Sequence, residues 1–364
     1  MTIKDYTDKY NELTRHWLES FVKDKKGRNI VFSPLSILIL LGIAADAVRG
    51  EARDEITAII GNSASYDDLM GVLSFIQKDS DKSGSLMSSN AVCYKESIQA
   101  TINADYAERL ESVYDGQLFS SSNLARDVNA WVEEKTRGMI RNAVDNSVNR
   151  MLTCLMNAIA FEAEWKKQYQ DDEIQEDEFN NADGSVSLVQ MLDSCEHAYI
   201  ENEHFTGFIK PYKDEKYAFM ALLPRRKAAS FMLSSLKQID FTRLFREASY
   251  TKVYVTLPEF KYDFGQDLTG SCRDLGIKTL FTTKADFSPM SSQELQVESI
   301  FHKAHIEVDR KGTKAAAVTM AITVGCALPM DYKSVYLDRP FVYAIMDTET
   351  GLPVFTGILN QAGR

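Results

Sequence analysis

Residues 29–60, Asn-Ile-Val-Phe-Ser-Pro-Leu-Ser-Ile-Leu-Ile-Leu-Leu-Gly-Ile-Ala-Ala-Asp-Ala-Val-Arg-Gly-Glu-Ala-Arg-Asp-Glu-Ile-Thr-Ala-Ile-Ile, constrain the fold more than any other stretch of the chain. They open as a short β-like run, Asn29 to Phe32, turn at Ser33-Pro34 and continue as a long, nearly all-apolar helix. A helix without a polar face must be covered on all sides, so it is central and the other elements are built around it. Covering it takes a large core, which 364 residues that are 45% hydrophobic and 26% charged can supply.

The rest of the chain divides by periodicity. Met1 to Phe21 reads as an amphipathic helix, because Asp5 and Asp8 interrupt any apolar run of signal-peptide type. Val128 to Val144 has helical periodicity with a single apolar stripe, the pattern of a helix packed on a surface. From Met151 the character changes. Met151 to Trp165 suits a fully buried strand, although periodicity alone leaves a buried helix open. Lys216 to Pro224, Tyr250 to Phe264 and Arg339 to Leu359 are also strand-like, and Thr350-Gly351 can turn the last into a hairpin. A helix-rich first third and a strand-rich remainder, without repeat, linker or low-complexity segment, predict one interwoven α+β domain over residues 1–364.

Net charge is −11, and the basic clusters Lys23 to Arg28 and Arg225 to Lys227 are short enough to be solvated turns. An acidic chain without a basic stripe is a poor partner for nucleic acid or for heparin-like polyanions. No apolar run reaches the roughly 20 residues of a membrane-spanning helix. Cys93, Cys154, Cys195, Cys272 and Cys326 are scattered and odd in number, which suggests buried thiols in place of a disulfide framework or a zinc site. Enzyme signatures are missing as well: there is no Gly-x-Ser-x-Gly, dinucleotide loop, Walker loop or His-Glu-x-x-His. His302 and His305 stand three apart, on opposite faces of a strand, and so cannot share a metal there. These observations predict a protein that is not an enzyme and uses no metal or cofactor. Its expected location is extracellular, with any signal peptide absent from this chain, and the cytoplasm is the alternative.

The segment Lys311 to Ser334 then stands apart. Between Lys314 and Asp331 lie 16 uncharged residues, Ala315 to Met330. Split by parity, Thr313, Ala315, Ala317, Thr319, Ala321 and Thr323 are all small, whereas Val318, Met320, Ile322 and Val324 are larger. As an extended strand the segment has one uniformly small face. Such a face suits a strand that slides between two existing strands over a filled core, where bulk overpacks and an unpaired charge costs several kcal/mol to bury. About ten new ladder residues at roughly 1 kcal/mol each release on the order of ten kcal/mol. That is comparable to the stability of a whole domain. On pattern alone an edge strand or a helix is the alternative, since Ala315 to Ala317 are good helix formers; Gly312, Gly325, Pro329 and the threonines stand against it.

Gly312, Thr313, Ala315, Ala316, Ala317 and Thr319 match a hinge of the form Gly-Thr-x-Ala-Ala-Ala-x-Thr, and here the chain resembles a serpin over essentially its whole length. Asn29 to Ile37 resembles the family's Asn-Ile-x-Phe-Ser-Pro-x-Ser. It places Ser33 and Ser36, with Asn157 and His302, in the shutter beneath the opening sheet. Trp165 resembles the breach tryptophan, where the loop first enters. Leu222 to Pro224, Leu257 to Phe260, Leu275 to Ile277, Ala285 to Ser288 and Arg339 to Phe341 follow in the family's order.

The resemblance implies the serpin fold, α+β with about nine helices around three β-sheets and an exposed reactive-centre loop at about residues 310–334. It also implies an inhibitor of serine-type endopeptidases that acts as a suicide substrate. The protease cuts the loop and is held as an acyl-enzyme while the cut loop inserts as a central strand and distorts it. The native state is then a kinetic trap. A non-inhibitory serpin, chaperone or carrier, and a cysteine protease inhibitor are the alternatives. One departure is specific: serpins commonly carry Glu two residues before the hinge glycine and Lys in Leu-Pro-Lys-Phe, where this chain has Arg310 and Glu259. A salt bridge with exchanged signs is predicted between them at the breach.

Counting from Gly312 by the usual hinge length places the reactive bond between Cys326 and Ala327, flanked by Val324, Gly325 and Leu328. All five are small or apolar, and Lys333 is too far along for trypsin-like cleavage. The expected partner is a serine protease with a shallow apolar primary pocket, elastase-like or subtilisin-like, held covalently by a monomeric inhibitor. Cys326 serves there as a small side chain or, alternatively, as a redox switch whose oxidation abolishes the bait.

Overall fold

The computed structural model describes residues 3–24, 27–61, 70–71, 73–75, 78, 84–297, 299–313 and 332–363. The hinge residues Ala315, Ala316, Ala317 and Thr319 and the bait residues Val324, Gly325, Cys326, Ala327 and Leu328 lie outside them.

The apolar helix forms as its sequence dictates. It spans Pro34–Ala47; Ser33 caps it by accepting the Ser36 N–H on Oγ at 3.2 Å, Pro34 occupies the first turn, where an N–H is not needed, and every residue is buried. The predicted helix Val128 to Val144 is instead Leu124–Lys135. Arg137 and Gly138 take left-handed φ angles of 48° and 77°. Beside them Thr136 folds back, donating from Oγ1 to the Val132 carbonyl at 2.7 Å and accepting the Ile140 N–H at 3.1 Å. Met139, Ile140, Ala143 and Val144 remain buried after the helix has ended, so the apolar pattern outruns it.

In chain order the strands are β1 Ile30–Phe32, β2 Leu86–Lys95, β3 Gly116–Ser121, β4 Thr153–Phe161, β5 Ala163–Glu164, β6 Ile174–Asn180, β7 Val186–Glu201 and β8 Phe205–Pro211. They continue as β9 Tyr217–Pro224, β10 Ser249–Pro258, β11 Phe260–Asp267, β12 Ile300–Val308, β13 Gly312–Thr313, β14 Lys333–Tyr336, β15 Phe341–Asp347 and β16 Pro353–Leu359. The chain gathers into two compact units, each drawn from three separate stretches: Met1–Lys9, Ser33–Ala160 and Asp263–His305 in one, Tyr10–Phe32, Phe161–Tyr262 and Ile306–Arg364 in the other.

In the first unit β3, β2, β4 and β12 neighbour one another in that order. β4 is buried along its whole length and runs parallel to β12, with Leu155 to Ala160 in register with Ile300 to His305. The helix Leu124–Lys135 puts Val128, Trp131 and Val132 into one apolar cluster with Cys93, Cys154 and Met156.

In the second unit nine strands are hydrogen-bonded, in the order β1-β16-β15-β9-β8-β7-β10-β14 with β6 beside β7. β7 is shared: Val186 to Leu192 pairs with β6, Met191 to Tyr199 with β10, and Ala198 to Glu201 with β8. The nine strands are therefore two sheets joined through one long strand, which with the β4–β12 sheet makes the three sheets of a mixed α+β fold. The predicted run Tyr250 to Phe264 is divided at Glu259 into β10 and β11, and Glu259 still donates its N–H to the Gln190 carbonyl at 2.8 Å, in line with the β10–β7 pairing.

The end of β12 positions the site. Asp309 donates its N–H to the Gly312 carbonyl at 2.9 Å, while its Oδ1 accepts the N–H groups of Lys311 and Gly312 at 2.7 and 3.0 Å. This tight turn sends β13 back antiparallel both to β12, Val308 opposite Thr313, and to β5, with Gly312 opposite Glu164 and Thr313 opposite Ala163. Among the described residues no helix is long and apolar enough to cross a membrane.

Candidate functional site

The predicted breach residues Trp165, Glu259 and Arg310 come together around the turn at 309–312, with the first hinge residues Gly312 and Thr313. Trp165 grips the turn twice: its backbone N–H donates to the Lys311 carbonyl at 2.8 Å and its indole Nε1–H to the Asp309 carbonyl at 2.9 Å. Its buried ring stacks on Tyr212, centroids 4.6 Å apart and 9° from parallel. The Tyr212 hydroxyl is hydrogen-bonded to Thr313 Oγ1 at 2.6 Å, and burial pushes its pKa above that of an ordinary phenol, so it stays a neutral partner. Thr313 is itself fully buried. Gly312 approaches β5 so closely that a Cβ would lie 2.1 Å from the Ala163 carbonyl oxygen and 2.7 Å from Glu164 Cα. Only glycine fits there.

Arg310 and Glu259 meet as an ion pair, Nε to Oε1 at 3.6 Å, with the side chains 40% and 26% exposed. The same Oε1 accepts the Arg310 backbone N–H at 3.1 Å, and Arg310 also reaches Asp171 at 3.1 Å. The acid therefore holds the backbone of the turn as well as the charge beside it.

Sequence reasoning missed the layer beneath these residues. Tyr169 donates its N–H to the Arg310 carbonyl at 3.0 Å, so the carbonyls of Asp309, Arg310 and Lys311 are all held by Trp165 and Tyr169. The Lys210 ammonium lies 4.4 Å from the Tyr169 ring centre and 5.5 Å from that of Trp165. It is 1% exposed and pairs with Glu196 Oε1 at 2.7 Å, which also accepts the Ser194 hydroxyl at 2.8 Å. Burial alone would depress the Lys210 pKa; Tyr169 and Glu196 outweigh it and hold the ammonium above the ordinary lysine value. The one signal in the sequence is parity, since Lys210 shares a strand face with Phe208, and Glu196 with Ser194.

The predicted shutter residues also meet. His302 Nε2 accepts the Ser33 N–H at 3.2 Å, at the start of the apolar helix. His302 faces Asn157 across the β12–β4 register, and Asn157 donates from Nδ2 to Asn90 Oδ1 at 3.0 Å. Complete burial, and secondarily the charge of Lys303, lower the His302 pKa to about 3. The ring is therefore neutral at physiological pH. His305 turns to a different partner, Asp263 Oδ1, at 2.6 Å from Nδ1. Cys93, Cys154 and Cys272 are buried, and burial raises all three thiols, the latter two to about 12, the reverse of an activated nucleophile.

The family described as Serpin (serine protease inhibitor) matches residues 8–362. An uncharacterised serpin-like protein of Thermococcus kodakarensis is 27% identical over 343 residues, 90% of this chain and 80% of that protein. The thermophilic serpin tengpin in its native state superposes with a TM-score of 0.90 at 30% identity, over 99% of this chain and 95% of that one. Its latent state gives a lower TM-score, 0.80, at 29% identity over 98% of each chain. Human thyroxine-binding globulin, solved with its ligand, shares the fold at a TM-score of 0.88 and 20% identity over the full length of both chains.

Proposed function

This chain belongs to the serpin family, and from that premise we propose that it is an inhibitory member, a single domain of two interleaved units acting as a suicide substrate for elastase-like or subtilisin-like serine proteases. The protease serine attacks the carbonyl carbon of Cys326, the bond to the Ala327 nitrogen breaks, and the resulting ester keeps the protease on the new chain end. The freed segment then continues β13 as a strand between β4 and β12. Those two strands are parallel partners, so an antiparallel strand placed between them exchanges one parallel ladder for two antiparallel ones. Small residues at 315, 317, 319, 321 and 323 let that strand lie over the core without bulk or charge. Insertion carries the ester away from its site of formation faster than water can cleave it.

The observation that supports this reading best is Thr313, buried and paired on both sides as the first residue of such a strand. The test is incubation with pancreatic elastase, subtilisin and trypsin. SDS-resistant complexes with the first two, cut after Cys326 by mass spectrometry, support the reading; cleavage without any complex refutes it.

A second reading, a non-inhibitory carrier, is favoured by a cleft of about 410 Å³ in the second unit. Val22, Ile30 and Met232 give it apolar walls, while Arg226, Lys227 and Arg339 supply positive charge, a combination suited to an amphipathic anion. Saturable enhancement of anilinonaphthalene sulfonate fluorescence, lost in Arg339→Gln, together with no protease complex, selects the carrier.

A further inference from the structure

The buried pair Lys210–Glu196 has no role in the chemistry just described, and its energetics make it unusual. A buried ion pair is commonly no more stabilising than apolar side chains of the same volume, so stability alone does not account for it. Its position is more informative. Lys210 lies against the rings of Trp165 and Tyr169, the two residues that hold the carbonyls of Asp309, Arg310 and Lys311, and Trp165 in turn carries Tyr212, which holds Thr313. A cation beside two aromatic faces fixes where those faces lie, and Glu196, anchored by Ser194, fixes the cation.

We propose that Lys210, set by Glu196, is a positioning residue for loop insertion: it holds Trp165 and Tyr169 in the arrangement that keeps Thr313 docked between β12 and β5, ready to be extended. The proposal rests on the inhibitory reading above. After acylation, insertion races deacylation, and a hinge already seated at its first residue starts the race ahead. Without the ammonium the cradle still packs, but Thr313 spends less time docked. Insertion slows, and more of the acyl-enzyme escapes as cleaved inhibitor.

The test uses Lys210→Met, which keeps length and removes charge, with Lys210→Arg as the conservative variant. The Lys210→Met/Glu196→Met double variant leaves no unpaired charge and carries the test if the single variant does not fold. Lys210→Met is expected to raise the ratio of cleaved inhibitor released to complex formed about fivefold, equivalent to about 1 kcal/mol in the partition. The rate of protease association stays near wild type in both variants, the urea midpoint stays near wild type in the double variant and falls in the single one, where Glu196 is left unpaired, and Lys210→Arg restores most of the efficiency. In a Trp17→Phe/Trp131→Phe background, Trp165 emission in the uncleaved protein shifts to the red and is quenched more by acrylamide when Lys210 is Met. A folded apolar variant with wild-type stoichiometry and an equally shielded Trp165 overturns the proposal. A wild-type protein that forms no complex with any protease refutes the inhibitory reading instead, while the Trp165 measurement still reports whether Lys210 sets the cradle.

Discussion

Gly312→Ala places one methyl group where the structure has no room for it. The new Cβ would lie 2.1 Å from the Ala163 carbonyl oxygen and 2.7 Å from Glu164 Cα. Both are backbone atoms, so no side-chain rotation relieves the clash; β13 and β5 must move apart by about an ångström to restore ordinary contact. Such overpacking costs about 1–3 kcal/mol. The movement also pulls on the Gly312 N–H to Asp309 bond and the Tyr212–Thr313 bond, each contributing about 1 kcal/mol. Against this, alanine restricts the unfolded chain and returns about 0.4–1 kcal/mol. The net expectation is a loss of about 2–4 kcal/mol, read from urea unfolding followed by tryptophan fluorescence. Gly270→Ala is the control: its Cβ meets nothing within 4 Å and it lies inside the helix Thr269–Leu275, so it should be neutral or stabilising by up to about 1 kcal/mol. If Gly312→Ala unfolds at the wild-type urea concentration, the close packing of the hinge against β5 is wrong.

Two further perturbations address the breach and the shutter. Arg310→Glu and Glu259→Lys should each destabilise, and the double variant should be less harmful than their sum by about 0.5–1 kcal/mol, the scale of a partly exposed ion pair; additive effects would remove the pair from the account. For His302, whose folded pKa is about 3 against about 6.5 unfolded, both states are neutral above pH 6.5 and no stability changes there. Below pH 6.5 the unfolded chain takes up a proton that the folded chain refuses, so stability falls by about 2 kcal/mol by pH 5. Urea midpoints at pH 7.5 and 5.0 should show that loss in the wild type, and a correspondingly smaller one in His302→Gln. Equal losses in both would mean the imidazole is not kept neutral.

The sequence made the apolar helix legible because Ser33, Pro34 and an unbroken apolar run all point the same way. β4, β9 and the β15–β16 hairpin were readable for a similar reason, being buried on both faces or closed by a turn residue, Gly351, with φ of 70°. Periodicity failed at Lys135, where burial continues and the helix does not, because the stop is set by backbone conformation at Arg137 and Gly138. The hinge motif led to Gly312 and Thr313, and the exchanged signs of Arg310 and Glu259 led to their contact. Lys210, Glu196 and Tyr169 stayed hidden. Their meaning comes from side chains that meet across the neighbouring strands β7 and β8 and from Tyr169, which lies outside both, and a lysine in β8 carries no local mark of the aromatic rings that flank it.

The proposed inhibition depends on Ala315 to Met330 inserting as a strand once cut, a step that would release on the order of ten kcal/mol. The most direct measurement is the thermal unfolding of the intact protein beside the same protein cut within this segment by a protease it does not trap. The account predicts that the cleaved form unfolds higher by on the order of 10 °C or more, the shift such a release gives a domain of this size. Equal transition temperatures for cleaved and intact protein would contradict it.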